Sequence, residues 1–430
     1  MNDVTTGEGK ARGEAAVPLR RLIGFGALGQ LTYVAAQFGI LLALSRLTTV
    51  ADVGRYGLAS AIVTPIFLMF GFGFRVNQAT ASGVQHSFRE FEALRTWTSF
   101  LAFTIVGILC LFTVDRATGF IVLAFAASRG IENRCNLLYG LFQKHDRMDL
   151  VARSLVVRGI GGTTAFTAIL WLTRQPAAAL FAMFAVWAAM ALLHDQRIAN
   201  RMIAGTEEER PPTRAGLIAI LRTSWPIAVS SLLAGAQMSS PRLAINHLLS
   251  IEALGLFTTV AYAFQAINTV NTAVTQSMLA RLTHFRRTGR VRALFRVLHT
   301  ALAGLAVIGA VSAVGAWLLG DWVLGTILGE KYAHLGSLLA LCILAGTISA
   351  AVTILQAGIS STRRFNLVMI TRFVGVALVV IGSVLGASTI GLAGVVIAMG
   401  AASLGQCIVM YGFLLRHAND GVNDGTATES

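Results

Sequence analysis

Arg129, Glu132 and Arg134 stand close together in a run that is otherwise almost apolar, AFAASRGIENRCNLLYG. If such a run crosses a membrane, each arginine near its middle costs about 2.5–3.5 kcal/mol on insertion scales, so it needs a partner or a task. Glu132 follows Arg129 by three positions, which places the two on one helix face as an ion pair. Arg134 leaves the cluster with net positive charge. Arg158, Arg242 and Arg372 are also embedded in apolar runs. Arg158 and Arg372 lie in the inner halves of their runs, close enough to the surface to snorkel. Arg242 follows Pro241, where a helix is expected to bend. A guanidinium fork matches phosphate oxygens two at a time. Five buried arginines against Glu132 as the one acid therefore point to a cationic cavity for a phosphate-bearing ligand. Arg129 is the expected main anchor, with Arg134 and Arg242 in support and Arg158 and Arg372 as further contacts. The competing role for each is structural, satisfying helix-end carbonyls or lipid headgroups.

Neutral polar groups form a second pattern. Gln265, Asn268, Thr272 and Gln276 recur at spacings of three and four, and so share one helix face. Gln30 and Gln37 in one apolar run, and Gln237, Ser239 and Ser240 in another, add amides and hydroxyls. Such groups can hydrogen-bond a sugar or join helices at about 0.6 kcal/mol each. Enzymatic signatures are missing: the chain has no HExxH, no paired-cysteine motif and no P-loop. Gly24-Phe25-Gly26-Ala27-Leu28-Gly29 has the GxGxxG spacing but opens an apolar run, where small residues serve close helix packing. Cys110, Cys135, Cys342 and Cys407 read as small apolar fillers. No enzyme activity, metal or cofactor is expected. Glu132 is the acid that could carry a coupling proton, although Arg129 would hold it ionised.

The elements that must position these residues follow from composition. Of 430 residues, 55% are apolar and 13% charged, the latter about half the roughly 25% usual in soluble domains. That excludes a soluble globule and, equally, a disordered chain. Four cysteines exclude a disulfide scaffold. The net charge of +14 does not signal nucleic-acid binding, because long apolar runs are no part of a basic stacking groove. A bilayer core about 30 Å thick needs about 20 apolar residues per helix. By that ruler an all-α polytopic membrane protein of twelve spans is expected. They fall near 22–45, 55–74, 96–114, 119–142, 154–172, 176–193, 224–246, 254–276, 297–319, 335–357, 365–386 and 390–415. The first run is too long for a signal-peptide core and reads as a retained span. On alternate sides, 24 of the 34 Lys and Arg fall in one set of loops, against only Arg46, Arg55, Arg116, Arg174 and Lys331 in the other. The positive-inside rule then places both termini in the cytoplasm. The expected organisation is a cytoplasmic tail over 1–21, an N-lobe over 22–193, a linker over 194–216, a C-lobe over 217–416 and a second tail over 417–430.

The halves repeat. LTTVADVGRYGLASAI (Leu47–Ile62) matches LLSIEALGLFTTVAYA (Leu248–Ala263) 201 residues later, pairing Val50 with Ile251, Gly54 with Gly255 and Tyr56 with Phe257. Two six-helix units in the same orientation give lobes related by an axis along the membrane normal.

With LSRLTTVADVGRYGLASAI, INHLLSIEALGLFTTVAYAF, SWPIAVSSLL, LGTILGEKYAHL and GLFQKHDRMDLVARSLVVRG in place, the chain resembles the Wzx-type polysaccharide flippases. These belong to the multidrug/oligosaccharidyl-lipid/polysaccharide (MOP) exporter superfamily, and the likeness runs from Arg20 to Arg416. The resemblance implies alternating access around a cationic cavity. It also implies transport of a polyprenyl-diphosphate-linked oligosaccharide across a bacterial inner membrane, in concert with polysaccharide polymerase and export machinery. A monomer is expected. The first span lacks the carboxylate usual in multidrug extruders, and two C-terminal spans of the lipid II flippases have no counterpart. An ion-coupled small-molecule exporter is the alternative. A membrane polymerase or ligase would carry a large outer loop, and the longest here is about 319–335.

Overall fold

The computed structural model describes residues 19–80, 86–288, 290–360 and 365–416. The tails expected at 1–21 and 417–430 lie outside them, apart from residues 19–21. Among the described residues there is no strand, and twelve long helices follow the expected spans. In the first half these are α1 (Leu19–Leu47), α2 (Val50–Met69), α4 (Phe88–Thr113), α5 (Arg116–Lys144), α6 (Met148–Thr173) and α7 (Pro176–Ala189), with the short α3 (Phe74–Thr80) after α2. A π-turn over Met190–Asp195 carries α7 on into α8 (Gln196–Ile203). The second half holds α9 (Arg214–Leu248), α10 (Ile251–Arg287), α11 (Val291–Leu328), α12 (Gly336–Ser360), α13 (Phe365–Thr389) and α14 (Leu392–Arg416).

The helix starts are written in short polar signals. Thr49 with Asp52, and Ser87 with Glu90, form capping boxes before α2 and α4, each satisfying two otherwise unpaired backbone donors. Asp115 and Thr213 cap α5 and α9 through their side-chain oxygens. Gly391, at φ 77°, makes the tight turn between α13 and α14, a backbone region that glycine enters without strain. Among the described residues, ten helices are long and apolar enough to cross a membrane, by length and composition. The two long helices outside that set are α5 and α10, which carry the charged cluster and the amide stripe. Exposed tryptophans lie near both ends of the bundle. Trp97 and Trp225 sit towards the end carrying the 204–213 connection, the linker end, and Trp171, Trp317 and Trp322 towards the far end. That is the pattern of interfacial aromatic belts.

Two cores organise the packing. Phe74, Phe88, Phe142, Phe166 and Leu170 centre the first, where α1 packs on α6 and α5 on α2, α4 and α7. Ile245, Leu254, Phe257, Tyr332 and Val395 centre another, where α12 packs on α10, α11 and α14. Helix α9 belongs to both, with Ile220 and Ala228 in the first core and Ile245 in the second. Its prolines, Pro226 and Pro241, each withhold a backbone donor from the helix.

Candidate functional site

A cavity of about 470 Å³ opens among α9, α10, α12, α13 and α14. Arg242 and Arg372 line it, and among the described residues no carboxylate does. Arg242 Nη1 donates to the Met238 carbonyl oxygen at 3.1 Å, and Arg372 Nη2 donates to Gln356 Oε1 at 3.1 Å. The Nε of each is buried and has no hydrogen-bond partner among the described residues. Both guanidiniums therefore keep donors in hand next to an unneutralised, cationic wall. Gln237, Gln265, Asn268, Gln356 and Gln406 add amides to the lining, with Ser349, Thr353 and Ser403 as hydroxyls. Gln237 Nε2 donates to Gln406 Oε1 at 3.2 Å, and Gln406 Nε2 donates to the Thr371 carbonyl oxygen at 3.0 Å. The side chains of Thr272 and Gln276, on the expected stripe of α10, lie outside the described residues.

The other three arginines sit in the first half, away from that cavity. Arg129 Nη1 pairs with Glu132 Oε2 at 2.5 Å, and the Tyr33 hydroxyl donates to Glu132 Oε1 at 2.9 Å. The i, i+3 ion pair expected from the sequence is thus present, with α1 added as its third member. Arg134 donates to Glu92 Oε1 at 2.8 Å and to Gln196 Oε1 at 2.9 Å, and Arg89 holds the second Glu92 oxygen. Arg158 is 1% exposed. Its guanidinium lies 4.5 Å from the Trp187 ring and 5.7 Å from the Tyr33 ring, and Nη1 donates to Tyr139 Oη at 3.0 Å. Gln37 is half-buried on α1 and is not part of the cavity lining.

The sequence reading misses a second buried acid. Asp195, 1% exposed, accepts from Ser154 Oγ at 2.5 Å, which is itself 2.8 Å from Tyr139 Oη. His194 Nδ1 lies 3.0 Å from the other Asp195 oxygen. The expected linker began at 194, but the chain stays helical to Ile203. The π-turn widens the helix there by one residue and turns Asp195 inward, a device frequent at functional sites. Arg95 is buried as well, donating to the Gly71 carbonyl oxygen at 2.9 Å below the C-terminus of α2. The remaining linker is strapped to the first half through Lys144–Glu208 at 2.5 Å and through Thr213 Oγ1 donating to Glu90 at 2.7 Å.

At the far end the halves are joined. Arg46 donates to the Thr326 and Ile327 carbonyl oxygens at the C-terminus of α11. Lys331 Nζ donates to the Thr48 carbonyl oxygen, just past the C-terminus of α1, at 2.5 Å. Each cation thus caps a helix of the opposite half, where the dipole favours positive charge. Burial holds the Lys331 ammonium below its ordinary pKa, although Asp52 acts the other way. Beneath this clasp α2 and α10 cross at Gly54 and Gly255. A Cβ on Gly54 would meet the Ile251 carbonyl oxygen at 1.9 Å, and one on Gly255 would meet that of Val50 at 2.0 Å.

No known family profile matches the chain. Over 307 residues it is 23% identical to a capsular polysaccharide biosynthesis protein, CapF, of Staphylococcus aureus, covering 69% of this chain and 74% of that one. Among solved structures it is similar to the lipid II flippase MurJ in an inward closed conformation, with a TM-score of 0.70 at 12% identity, covering 91% of this chain and 87% of that one. An inward-facing multidrug transporter of the MATE family and MOP superfamily gives a TM-score of 0.56 at 15% identity, covering 93% and 95%. The fold is the MOP fold.

Proposed function

We propose that this chain is a flippase that moves a polyprenyl-diphosphate-linked oligosaccharide from the cytoplasmic to the periplasmic leaflet for polysaccharide biosynthesis. The supporting observation is the cavity wall with Arg242 and Arg372 and no carboxylate. That wall suits a diphosphate, disfavours a cationic drug, and leaves amides and hydroxyls for sugar. The MOP fold and the likeness to a capsule biosynthesis protein agree with this reading. The lipid tail would remain in the bilayer while the head group crosses, with the two halves rocking about the 204–213 connection. In this arrangement the far end is the periplasmic one, because the basic loops lie at the linker end. Arg242 and Arg372 are the primary diphosphate contacts. Arg129, paired with Glu132, would serve as a contact for a later stage of the cycle, and Arg134 and Arg158 hold the N-lobe together. Glu132 and Asp195 supply the observation favouring the second reading, an ion-coupled exporter.

The test is a deletion strain complemented with wild type or with Arg242→Ala/Arg372→Ala. Lost surface polysaccharide, with lipid-linked oligosaccharide trapped in the inner leaflet, is expected for the deletion and the double variant. Normal export in the deletion strain would overturn the flippase reading. Intermediate trapped on the periplasmic side would move the protein to a polymerase or ligase step.

A further inference from the structure

Gln406 is 2% exposed on α14, yet its amide reaches the cavity wall. It has a fitted seat: a Cβ on Gly375 of α13 would lie 2.6 Å from its Oε1 and 2.9 Å from its Nε2. A side chain at 375 would therefore displace the amide. The sense of that amide is fixed by its neighbour. A main-chain carbonyl oxygen can only accept, so Gln406 must turn its NH2 towards Thr371 and its oxygen away. Gln237 must then turn its own NH2 towards Gln406. Its Oε1 is left as an acceptor on a side chain that lines the cavity, and it cannot flip to become a donor without breaking the chain. Pro241, four residues on, also leaves the Gln237 main-chain oxygen without its usual helical donor. The chain begins at Thr371, next to Arg372, and ends at Gln237, little more than a turn before Arg242. Its two ends thus lie close in sequence to the two arginines of the cavity wall.

We propose that Gln237, oriented by Gln406, reads a sugar hydroxyl beside the two arginines, so that the cavity favours a glycosylated diphosphate lipid over the bare one. This rests on the diphosphate-lipid reading above. Gln237 is the contact and Gln406 the positioning residue. A hydroxyl meets a fixed acceptor there, whereas bare diphosphate brings further acceptors and gains nothing from it.

The experiment compares two probes on the full chain in nanodiscs, undecaprenyl diphosphate and the same lipid bearing an N-acetylhexosamine. Wild type should bind the glycosylated probe more tightly. Gln406→Leu and Gln237→Ala should each weaken that probe about fivefold to tenfold, the size of one lost hydrogen bond, and leave the bare lipid within about twofold by the same reckoning. Gly375→Ala should reproduce the effect by displacing Gln406 without removing it. Arg242→Ala/Arg372→Ala should weaken both probes alike. Equal loss on both probes in the glutamine variants would reduce Gln406 to a packing residue and overturn the inference. So would wild type that binds both lipids equally while still depending on the arginines, and in that case the diphosphate reading survives. Binding of neither probe overturns the diphosphate reading and this inference with it.

Discussion

Substituting Gly54 with alanine adds one methyl group where α2 and α10 cross between the halves. The new Cβ would lie 1.9 Å from the Ile251 carbonyl oxygen and 3.1 Å from the Gly255 nitrogen. Ordinary contact begins near 3.4 Å, so α2 and α10 must separate by ~1.5 Å where they cross. Both neighbouring atoms are backbone and no flexible side chain can give way. Overpacking of this kind costs about 1–3 kcal/mol, and it falls only on the state in which the far end is shut. Alanine is otherwise the better helix former by about 1 kcal/mol. The equilibrium should therefore move towards far-end opening by about 5-fold to 150-fold. The assay is labelling of Gln237→Cys by a membrane-impermeant maleimide added from the periplasmic face. It is run in a Cys407→Ser background, because the other three cysteines are buried. Gly54→Ala should raise labelling from that face. Gly304→Ala serves as control, since a Cβ there has nothing within 4 Å, and it should leave labelling unchanged. Unchanged labelling in Gly54→Ala would refute the idea that this crossing seals the far end.

Removing the clasp with Arg46→Ala/Lys331→Ala should act in the same direction. The lost hydrogen bonds to helix-end carbonyls are worth about 1 kcal/mol each, and periplasmic labelling of the same cysteine reads the shift. Arg158→Met should lower the thermal stability of the purified protein, because it takes away the cation that packs on Trp187 and Tyr33 and donates to the Tyr139 hydroxyl. A lost hydrogen bond from a charged donor costs about 1.5–3 kcal/mol, and a melting curve in detergent tests it. Arg134→Ala should reduce the amount of folded protein by releasing Glu92 and Gln196, with export per folded molecule retained. Arg242→Ala should do the reverse, with normal yield and lost export, so quantified membrane levels set against surface polysaccharide separate the two roles.

Most of the architecture was legible because membrane helices announce themselves by length and hydropathy. All twelve spans coincide with long helices, and the Arg129–Glu132 pair follows from spacing alone. Two features escaped. Asp195 sits in a polar stretch with His194 and Arg197, and nothing in residue order distinguishes a linker from a helix that continues through a π-turn. Gln406 lies alone in an apolar run, and its importance comes from Gly375 on the neighbouring helix, a tertiary relation with no periodic signature. The same limit applies to the arginines. Depth can be read from sequence, but which side of a helix faces a cavity and which faces a packed neighbour cannot. Arg242 and Arg158 look alike in the chain, yet one lines an open volume and the other is buried against two neighbouring aromatic rings.

The repeat explains why the far end closes where it does. Gly54 and Gly255 are equivalent positions 201 residues apart, and each faces the backbone at the start of the other's helix. Gly57 and Thr258 are equivalent too, and they also touch. Equivalent residues can meet one another only at the symmetry axis, so the crossing of α2 and α10 marks that axis. Away from it the halves have diverged in chemistry. The fourth long helix of the first half, α5, carries Arg129, Glu132 and Arg134, whereas its counterpart α12 has no charged residue. The first half consequently fills its interior with ion pairs, and the second keeps an open volume with unspent arginine donors. On the flippase reading proposed above, a symmetric hinge with asymmetric contents would give a rocking pair in which one lobe holds the ligand and the other levers against it. Charge placed on α12 is the critical probe of that division. Ser349→Glu, in the cavity wall, should offer Arg242 or Arg372 an internal partner and abolish export at normal folded yield. Serine to glutamine at the same site is nearly matched in size but uncharged, and should retain it. Equal loss in both variants would show that bulk, not charge, governs the cavity.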